Sequence, residues 1–457
     1  MSLRCAVHVM SLPRYAVYKD SGVEWLGEVP EGWRVDRLKA SITSCRNGIW
    51  GGDPTGDADD IECVRVADFD RARLVVDGDV PTLRSVTEKE RADRLVTAGD
   101  LLLEKSGGGE KQPVGQVVLY DRPTQAVCSN FVAKVTLADG MVPRFWMYQH
   151  AAAYARGVNV GAIKQTSGIQ NLDQSQYFNE RGVFPSENEQ SAIAAFLDRE
   201  TDKIDVLIAE QEKLLTLLAE KRQATISHAV THGLNPNAPM KDSGVPWLGE
   251  APAHWNVTPL KYLVSLKSGG TPSKENLDYW DGEVPWASAR DLKSDTLSDT
   301  TEHITAVALA SGVSTLLPAG VVLVVVRGMI LARTFPVTET LVPMAINQDL
   351  KAVLPKVGLN GSFLAWLLRG TAGESLQRLD EAGHGTKALR MDAWTSMRLP
   401  VPLEPEQKEI VAFIVKRTGE LDSLAGEAEH AIALLKERRS ALIAAAVTGK
   451  IDVRQVA

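Results

Sequence analysis

Several short segments of the chain combine glycine, hydroxyl and cationic side chains, which suits contact with phosphate groups or base edges. Residues 269–273 read Gly-Gly-Thr-Pro-Ser. The glycines would let the backbone approach a phosphate, and the hydroxyls could donate hydrogen bonds to its oxygens. Residues 47–54 hold a diverged version of this segment. A plain turn needs no ligand, so that alternative stays open for both. The candidate binding residues here are Trp50, Gly51, Gly52, Gly269, Gly270, Thr271 and Ser273.

Arginine and lysine side chains form a second group of candidates. A guanidinium can bond guanine O6 and N7 together, so Arg65 and Arg290 could read bases. Each could equally pair with a nearby aspartate. Lys105, Lys111 and Arg327 follow apolar strand-like runs, where binding residues often lie, although many such cations are simply solvated. Two polar loops that precede long helical segments add Lys164, Gln165, Thr166, Ser167, His384, Thr386 and Lys387.

Motifs for autonomous chemistry are missing from the sequence. It contains no Gly-x-x-x-x-Gly-Lys-Ser/Thr phosphate loop, no Asn-Pro-Pro-Tyr or Asp-Pro-Pro-Tyr run, and no His-Glu-x-x-His pair. The eight histidines lack the spacing of metal ligands. We therefore expect neither a catalytic residue nor a metal site.

Composition and charge are those of an ordinary globular chain. Of the 457 residues, 44% are hydrophobic and 24% are charged. The 50 Lys and Arg residues against 58 Asp and Glu residues give a net charge of −8. This charge argues against a general polycation and leaves room for a locally basic face. The longest apolar run, residues 321–326, is far below the ~20 residues that cross a bilayer. Cys5, Cys45, Cys63 and Cys128 have no Cys-x-x-Cys spacing, so we expect free thiols and a cytoplasmic location.

The chain contains an internal duplication. Residues 19–39 and 241–261 are identical at 14 of 21 positions, with an offset of 222. Residues 189–231 and 406–448 are identical at 19 of 43 positions, with an offset of 217. A period of this length indicates two copies of one domain plan.

Each copy ends in a long helical segment. Residues 186–189 form a Ser-Glu-Asn-Glu capping box at the start of the first segment, and Pro405 begins the second. Heptad spacing of apolar residues favours a coiled coil. Because a globular domain separates the two segments in the chain, an antiparallel pair within one molecule is the simplest arrangement. Two separate amphipathic helices, each packed on its own domain, are the alternative. The heptad positions are Ile193, Leu197, Ile204, Leu207, Leu214, Leu218, Ile410, Ile414, Leu421, Leu424 and Leu435.

The predicted fold class is α/β (mixed α+β), with two pseudo-symmetric globular domains separated by two long antiparallel coiled-coil helices. The predicted boundaries are 1–18 for an N-terminal extension, 19–185 for the first domain, 186–233 for the first helix, 234–403 for the second domain, 404–450 for the second helix and 451–457 for a tail. Met10 begins a second Met-Ser-Leu run and is an alternative natural start.

Two repeated motifs resemble the specificity subunit of type I restriction-modification systems. One is Lys-Asp-Ser-Gly-Val-x-Trp-Leu-Gly-Glu-x-Pro from Lys19 and Lys241, and the other is Pro-x-x-x-Glu-Gln-x-x-Ile-x-Ala-Phe from Pro185 and Pro402. The resemblance implies two target-recognition domains that each bind one half of a bipartite site in double-stranded DNA. It also implies spacer helices that dock two methyltransferase subunits for adenine methylation, and restriction subunits for ATP-dependent cleavage in the full complex.

The same resemblance implies a non-catalytic chain without a cofactor of its own. S-adenosylmethionine, ATP and Mg²⁺ would be used by the partner subunits. Two other functions stay open from the sequence. One is a stand-alone nuclease or methyltransferase with unrecognised motifs, and the other is a protein-interaction adaptor that uses the helices without touching DNA.

Overall fold

The computed structural model describes residues 12–76, 78–166, 168–381 and 386–455. It divides into two compact units: residues up to 212 and from 430 onward form unit 1, and residues 213–429 form unit 2. Met10 and Cys5 lie outside the described residues. Within the described ranges, no helix is both long and apolar enough to span a membrane.

The described residues of unit 1 form short strands, three short helices and parts of two long helices. Its strands are β1 (Tyr18–Asp20), β2 (Glu28–Pro30), β3 (Arg34–Arg37), β4 (Ile42–Asn47), β5 (Asp60–Val64), β6 (Phe69–Asp70), β7 (Val75–Val76), β8 (Leu83–Ser85), β9 (Leu101–Glu104), β10 (Ser106–Gly107), β11 (Val117–Leu119), β12 (Val127–Cys128), β13 (Val132–Leu137), β14 (Ile163–Thr166), β15 (Ile169–Leu172) and β16 (Arg181–Phe184). Its helices are α1 (Glu88–Arg91), α2 (Pro143–Ala155) and α3 (Gln174–Asn179).

The main sheet of unit 1 has six strands in the order β4-β13-β9-β11-β7-β6. Two smaller sheets have the orders β12-β5-β8 and β10-β15-β14. Helix α2 buries Phe145 and Trp146 completely in the core that it shares with Leu101 and Leu103 of β9. The apolar run of β9 is therefore explained by burial on both faces of the sheet.

Unit 2 repeats this plan after a long helix, α4 (Glu187–His232). Its strands are β17 (Met240–Asp242), β18 (Glu250–Pro252), β19 (Asn256–Pro259), β20 (Val264–Ser268), β21 (Trp280–Ala287), β22 (Thr296–Leu297), β23 (Glu302–Ile304), β24 (Val322–Val325), β25 (Arg327–Gly328), β26 (Val337–Thr340), β27 (Ala345–Ile346), β28 (Leu350–Pro355), β29 (Leu379–Glu381), β30 (Lys387–Leu389) and β31 (Arg398–Val401). Its other helices are α5 (Leu260–Leu263), α6 (Ala306–Ala310), α7 (Gly361–Gly370), α8 (Ala372–Leu376), α9 (Met391–Thr395) and the start of α10 (Glu404–Val447).

The sheets of unit 2 correspond to those of unit 1, except that β6 of the six-stranded sheet has no counterpart among the described residues. The main sheet has the order β20-β28-β24-β26-β22, and the small sheets have the orders β23-β21-β27 and β25-β30-β29. The apolar run that begins at Val321 becomes the central strand β24, all of whose residues are buried. The predicted mixed α/β class is confirmed.

The helices α4 and α10 lie side by side in each unit. In unit 1, Asp205 of α4 pairs with Arg439 of α10 at 3.1 Å. In unit 2, Arg222 of α4 pairs with Asp422 of α10 at 3.0 Å. The start of α4 lies near the end of α10 in unit 1, because Tyr15 donates to Glu189 and the nearby Tyr18 donates to the Gly449 carbonyl. The pairing is therefore antiparallel there.

The heptad residues differ in burial along these helices. Ile193, Leu197 and Ile204 are buried in the core of unit 1, and Ile410 and Ile414 are buried in the core of unit 2. The remaining positions are half-buried (Leu218, Leu421 and Leu435) or exposed (Leu207, Leu214 and Leu424). Heptad spacing does not distinguish burial against a partner helix from burial against a globular domain, and the innermost positions here lie against the domains.

A buried glutamine holds the start of each long helix. Gln190 Oε1 accepts hydrogen bonds from the Val142 amide and from Trp146 Nε1, at 2.9 and 3.1 Å. Gln407, the equivalent residue 217 positions later, accepts from the Asn360 amide at 2.7 Å. The predicted capping box does not form as expected, because Glu189 accepts from Tyr15 instead of reaching back to the residue before the helix.

Candidate nucleic-acid interface

In each unit, a three-stranded sheet brings two predicted binding segments together. In unit 1, β15 pairs with β10 on one side and with β14 on the other, so Ser106 and Lys164 both lie opposite Asn171. In unit 2, β30 pairs in the same way with β25, and Gly328 lies opposite Lys387. The strand exits and the polar loops before the long helices therefore belong to one surface in each unit.

Unit 1 has a recess of about 500 Å³ at this surface. Trp50, Arg65, Ser106, Asn130 and Phe131 contribute to its lining. Trp50 and Phe131 are 40% and 45% exposed. Two of the predicted residues, Trp50 and Arg65, thus lie at one site, together with an aromatic ring that the sequence analysis did not select.

The side chains around the recess are held in place by ionic contacts. The Arg84 guanidinium lies 4.6 Å from the centre of the Trp50 ring and also pairs with Asp53. Arg65 pairs with buried Asp68 at 3.0 Å, and this hydrogen bond raises the pKa of Arg65. The alternative left open for Arg65, a pair with the nearby aspartate, is the one observed.

The glycines of the predicted loops have packing roles. A Cβ on Gly51 would lie 2.4 Å from the Ser85 carbonyl oxygen, and one on Gly269 would lie 1.9 Å from the carbonyl oxygen of Ile346. Gly52 forms a bridge with Ser85, and a Cβ on Gly270 would meet the Val313 carbonyl oxygen at 2.1 Å. Close backbone packing accounts for Gly51, Gly269 and Gly270 without a ligand, whereas a Cβ on Gly52 would have room.

The corresponding surface of unit 2 carries polar and charged side chains. Thr271 donates a hydrogen bond to Gln348. Arg327 pairs with Asp349 at 2.8 Å, and Lys387 pairs with Glu381 at 2.5 Å. The Arg290 side chain is exposed, and no acceptor among the described residues lies within hydrogen-bond distance of its guanidinium.

Backbone hydrogen bonds identify equivalent positions in the two units. The amides of Arg65 and Ser288 make the same hydrogen bond. Each donates to the carboxylate of the aspartate three residues later, at 2.7 and 2.8 Å. Arg65 is therefore equivalent to Ser288 and not to Arg290. In the same way, the Phe131 carbonyl accepts from the two amides that follow β9, and the Asp349 carbonyl accepts from the two amides that follow β24. Equivalent backbone positions thus carry different side chains.

Several of the cations are neutralised within their own unit. Lys164 pairs with Asp173 at 2.6 Å, and its hydrogen bond holds the pKa of Asp173 below its usual value. Lys387 lowers the pKa of Glu381 in the same way. Because these pairs are exposed, a phosphate group could compete for either lysine.

The remaining candidates lie around these surfaces or outside the described residues. Lys105 is half-buried, and its amide donates to the Phe131 carbonyl at 2.9 Å. Lys111 and Gln165 are exposed, and Ser273 accepts from the Trp280 indole through its carbonyl. Thr386 is half-buried, and Thr166 ends β14. Ser167 and His384 lie outside the described residues.

Phe131, Asn130 and Arg84 were missed because their sequence context gives no signal. Phe131 precedes a buried strand and reads as part of its apolar run. Arg84 is distant in sequence from Trp50, and the bridge between Gly52 and Ser85 brings the two residues together. A sequence alignment at the offset of 217 places Asn347 opposite Asn130. The backbone hydrogen bonds make Asn347 equivalent to Ser129 instead, because the Ser129 amide donates to β5 and the Asn347 amide donates to the equivalent strand β21.

Comparison with protein families finds a match in the second half of the chain. Residues 252–424 match the family described as "Type I restriction modification DNA specificity domain". The chain is also similar to the specificity subunit of the type I restriction enzyme EcoR124I/EcoR124II from Escherichia coli, with 30% identity over 149 residues. This alignment covers 32% of the chain and 37% of that relative.

A second relative is the type I restriction enzyme MjaIX specificity subunit of Methanocaldococcus jannaschii. It is 26% identical over 175 residues, which are 36% of this chain and 38% of that protein. The alignments thus span little more than a third of either relative. The family resemblance predicted from the repeated motifs is nevertheless confirmed by these matches.

Solved structures share the fold over most of the chain. One, from a study of complex assembly and conformational transition of the type I R-M system, has a TM-score of 0.70 at 15% identity and covers 93% of this chain and 99% of that one. The HsdS subunit from Thermoanaerobacter tengcongensis has a TM-score of 0.51 at 15% identity, covering 93% and 98%. At this identity the likeness concerns the fold.

Proposed function

We propose that this chain, whose residues 252–424 belong to the type I restriction modification DNA specificity domains, is the DNA-recognition subunit of a type I restriction-modification complex. Each unit reads one half of a bipartite site in double-stranded DNA. Helices α4 and α10 set the spacing of the halves and dock two methyltransferase subunits for adenine methylation. Restriction subunits join them for ATP-dependent cleavage.

The observation that carries the proposal is the repetition of one backbone plan with different side chains. Each unit presents a loop, a turn, a strand exit and a hairpin in the same order, while Phe131 of unit 1 corresponds to Asp349 of unit 2. A common backbone with divergent side chains suits two domains that dock on DNA in the same way and read different bases.

The chain acts in this proposal by binding alone. It holds no cofactor, and S-adenosylmethionine, ATP and Mg²⁺ serve the partner subunits. Because cations such as Lys164 and Lys387 are already paired with carboxylates, we expect the isolated chain to bind DNA weakly at physiological salt. The affinity should fall further as salt rises, because phosphate neutralisation releases counterions.

The test is a methylation assay with the methyltransferase subunits of the same system. With this chain present, N6-methyladenine should appear at one two-part sequence, and without it that sequence should stay unmethylated. Methylation of the same sequence in the absence of the chain contradicts the proposal.

Two further measurements separate the alternative functions. Turnover by the purified chain alone, with S-adenosylmethionine or Mg²⁺ and DNA, would identify an autonomous enzyme. Normal assembly with the methyltransferase but no salt-dependent DNA binding by the complex would identify a protein-interaction adaptor.

A further inference from the structure

The recess of unit 1 leaves two large aromatic side chains in contact with solvent. Trp50 and Phe131 are 40% and 45% exposed at a recess of about 500 Å³. Arg84 stacks on the Trp50 ring, and the Phe131 carbonyl accepts from the amides of Lys105 and Ser106 at 2.9 and 3.2 Å. Exposed aromatic side chains grouped at a recess are typical of a binding surface.

The charged groups of the recess already have partners. Glu104 is buried and accepts two hydrogen bonds from Arg71, at 3.0 and 3.1 Å. Arg65 is bonded through both its backbone and its guanidinium to Asp68. Arg84 is paired with Asp53 as well. The apolar faces of the two rings are therefore available to a ligand.

Equivalent positions in unit 2 have the opposite character. Phe131 corresponds to Asp349, which accepts from the Arg327 guanidinium at 2.9 Å. The amide of the residue before Trp50 donates to the Cys128 carbonyl. In unit 2, the amide of the residue before Thr271 donates to the Ile346 carbonyl in the same way. Trp50 therefore corresponds to Thr271. Unit 2 offers hydrogen-bonding groups where unit 1 offers aromatic rings.

We propose that the recess binds the C5-methyl edge of a thymine in the major groove, with Phe131 and Trp50 as specificity-determining residues. The inference rests on the proposed function. The thymine methyl is the apolar group among the features that distinguish base pairs in the major groove. The Trp50 ring, on which Arg84 already stacks in the free protein, loses little conformational freedom when it covers the methyl group.

The test is a deoxyuridine scan of the methylated site with the complete methyltransferase complex. Each thymine is replaced in turn by deoxyuridine, which removes only the C5-methyl group, and binding is measured for the wild type and for Phe131→Ala. At one thymine of a single half-site, replacement should weaken wild-type binding about fivefold. The same replacement should have little effect on the Phe131→Ala complex.

Three variants make the scan specific. Trp50→Leu should reduce the deoxyuridine effect at the same thymine. Phe131→Leu, which keeps an apolar side chain, should retain most of it. Val17→Ala removes an exposed apolar side chain of unit 1 outside the recess and should behave as the wild type.

The outcomes distinguish this inference from the proposed function. If the complex methylates no two-part sequence, the proposed function fails. If methylation is sequence-specific but no thymine responds differently in wild type and Phe131→Ala, only the methyl-reading inference is overturned. A rise in 2-aminopurine fluorescence on binding, without any deoxyuridine effect, would show instead that the rings insert between base steps.

Discussion

Gln190 and Gln407 illustrate how a single buried side chain can join a long helix to a globular domain. Gln407 Nε2 donates to the carbonyls of Gly358 and Pro402 at 3.0 and 2.9 Å, while its Oε1 accepts from the Asn360 amide. Each unit uses its own glutamine for this purpose. These hydrogen bonds explain why the glutamine of the Glu-Gln motif occurs in both repeats.

We predict that Gln407→Ala lowers the free energy of unfolding by about 1–3 kcal/mol, because it removes three hydrogen bonds and leaves polar backbone groups without a partner. Chemical denaturation followed by circular dichroism measures the change. Glu210→Ala, at an exposed position of α4, is the control and should change stability by less than about 0.5 kcal/mol. Equal effects of the two substitutions would contradict the assigned role.

His150 makes the stability of unit 1 depend on pH. The imidazole is fully buried, its Nδ1 lies 2.8 Å from Tyr177 Oη, and burial lowers the pKa of His150 to about 4. An unfolded chain has a histidine pKa near 6.5 and so binds more protons than the folded chain between these values. The stability contributed by His150 is therefore present above pH 6.5 and is lost as the pH falls toward 4.

Between pH 7 and pH 5, titration of His150 should lower the free energy of unfolding by about 2 kcal/mol. Denaturation curves at both pH values for the wild type and for His150→Asn measure the contribution of His150, because the other titrating groups are common to the two proteins. The variant should lose correspondingly less stability over this interval. A pH dependence identical to that of the wild type would show that His150 is not the group responsible.

At the level of elements, the two long helices are joined by a repeated ion pair. Asp205 and Arg439 in unit 1 correspond to Asp422 and Arg222 in unit 2, each at an offset of 217. The side chains of Asp205 and Arg439 are 21% and 13% exposed, whereas that of Asp422 is 57% exposed. The pair in unit 1 is thus the better shielded from solvent.

Double-mutant cycles should reveal this difference. We expect a coupling free energy of about 1–2 kcal/mol between Asp205 and Arg439, and below about 1 kcal/mol between Asp422 and Arg222, because exposed pairs are screened. Exchanging the charges, with Asp205→Arg combined with Arg439→Asp, should recover part of the stability that either single reversal loses. A larger coupling in unit 2 would contradict the interpretation from burial.

The long helices were predictable as elements, but the small sheets were not. The helical segments carry start motifs, an uninterrupted apolar period and terminal glycines, all of which are local in sequence. Strands such as β10 (Ser106–Gly107) and β25 (Arg327–Gly328) have two residues each. Their pairing with β15 and β30 depends on contacts between residues about 60 positions apart, which no local pattern reveals.

At the scale of the whole molecule, duplication was the feature that the sequence revealed most fully. Repeats of identical residues predict two equivalent units, and the sheets of the two units correspond except for β6, which unit 2 lacks among its described residues. The candidate surface was predicted only in part. Arg65 and Trp50 were selected by residue type, whereas Phe131 and the pairing of Arg327 with Asp349 follow from tertiary contacts. Side-chain partners, unlike residue types, need the folded backbone.

The proposed spacing role of α4 and α10 leads to a prediction about the target site. Asp205 lies opposite Arg439, and Arg222 lies opposite Asp422. These two pairs define one antiparallel register, so an insertion after Glu212 in α4 is matched by an insertion after Ala431 in α10. Seven residues in each helix add about 10 Å and nearly two complete turns, which preserves the facing sides. The preferred spacer should therefore lengthen by about two to four base pairs.

A library of duplexes with different spacers, methylated by the complete complex, measures this shift. The doubly lengthened chain should lose methylation at the original spacer and gain it at a longer one. Insertion into α4 alone is the control, and it should destabilise the chain because the paired residues no longer align. If the doubly lengthened chain is folded and keeps its original spacer preference, the helices do not set the distance between the half-sites.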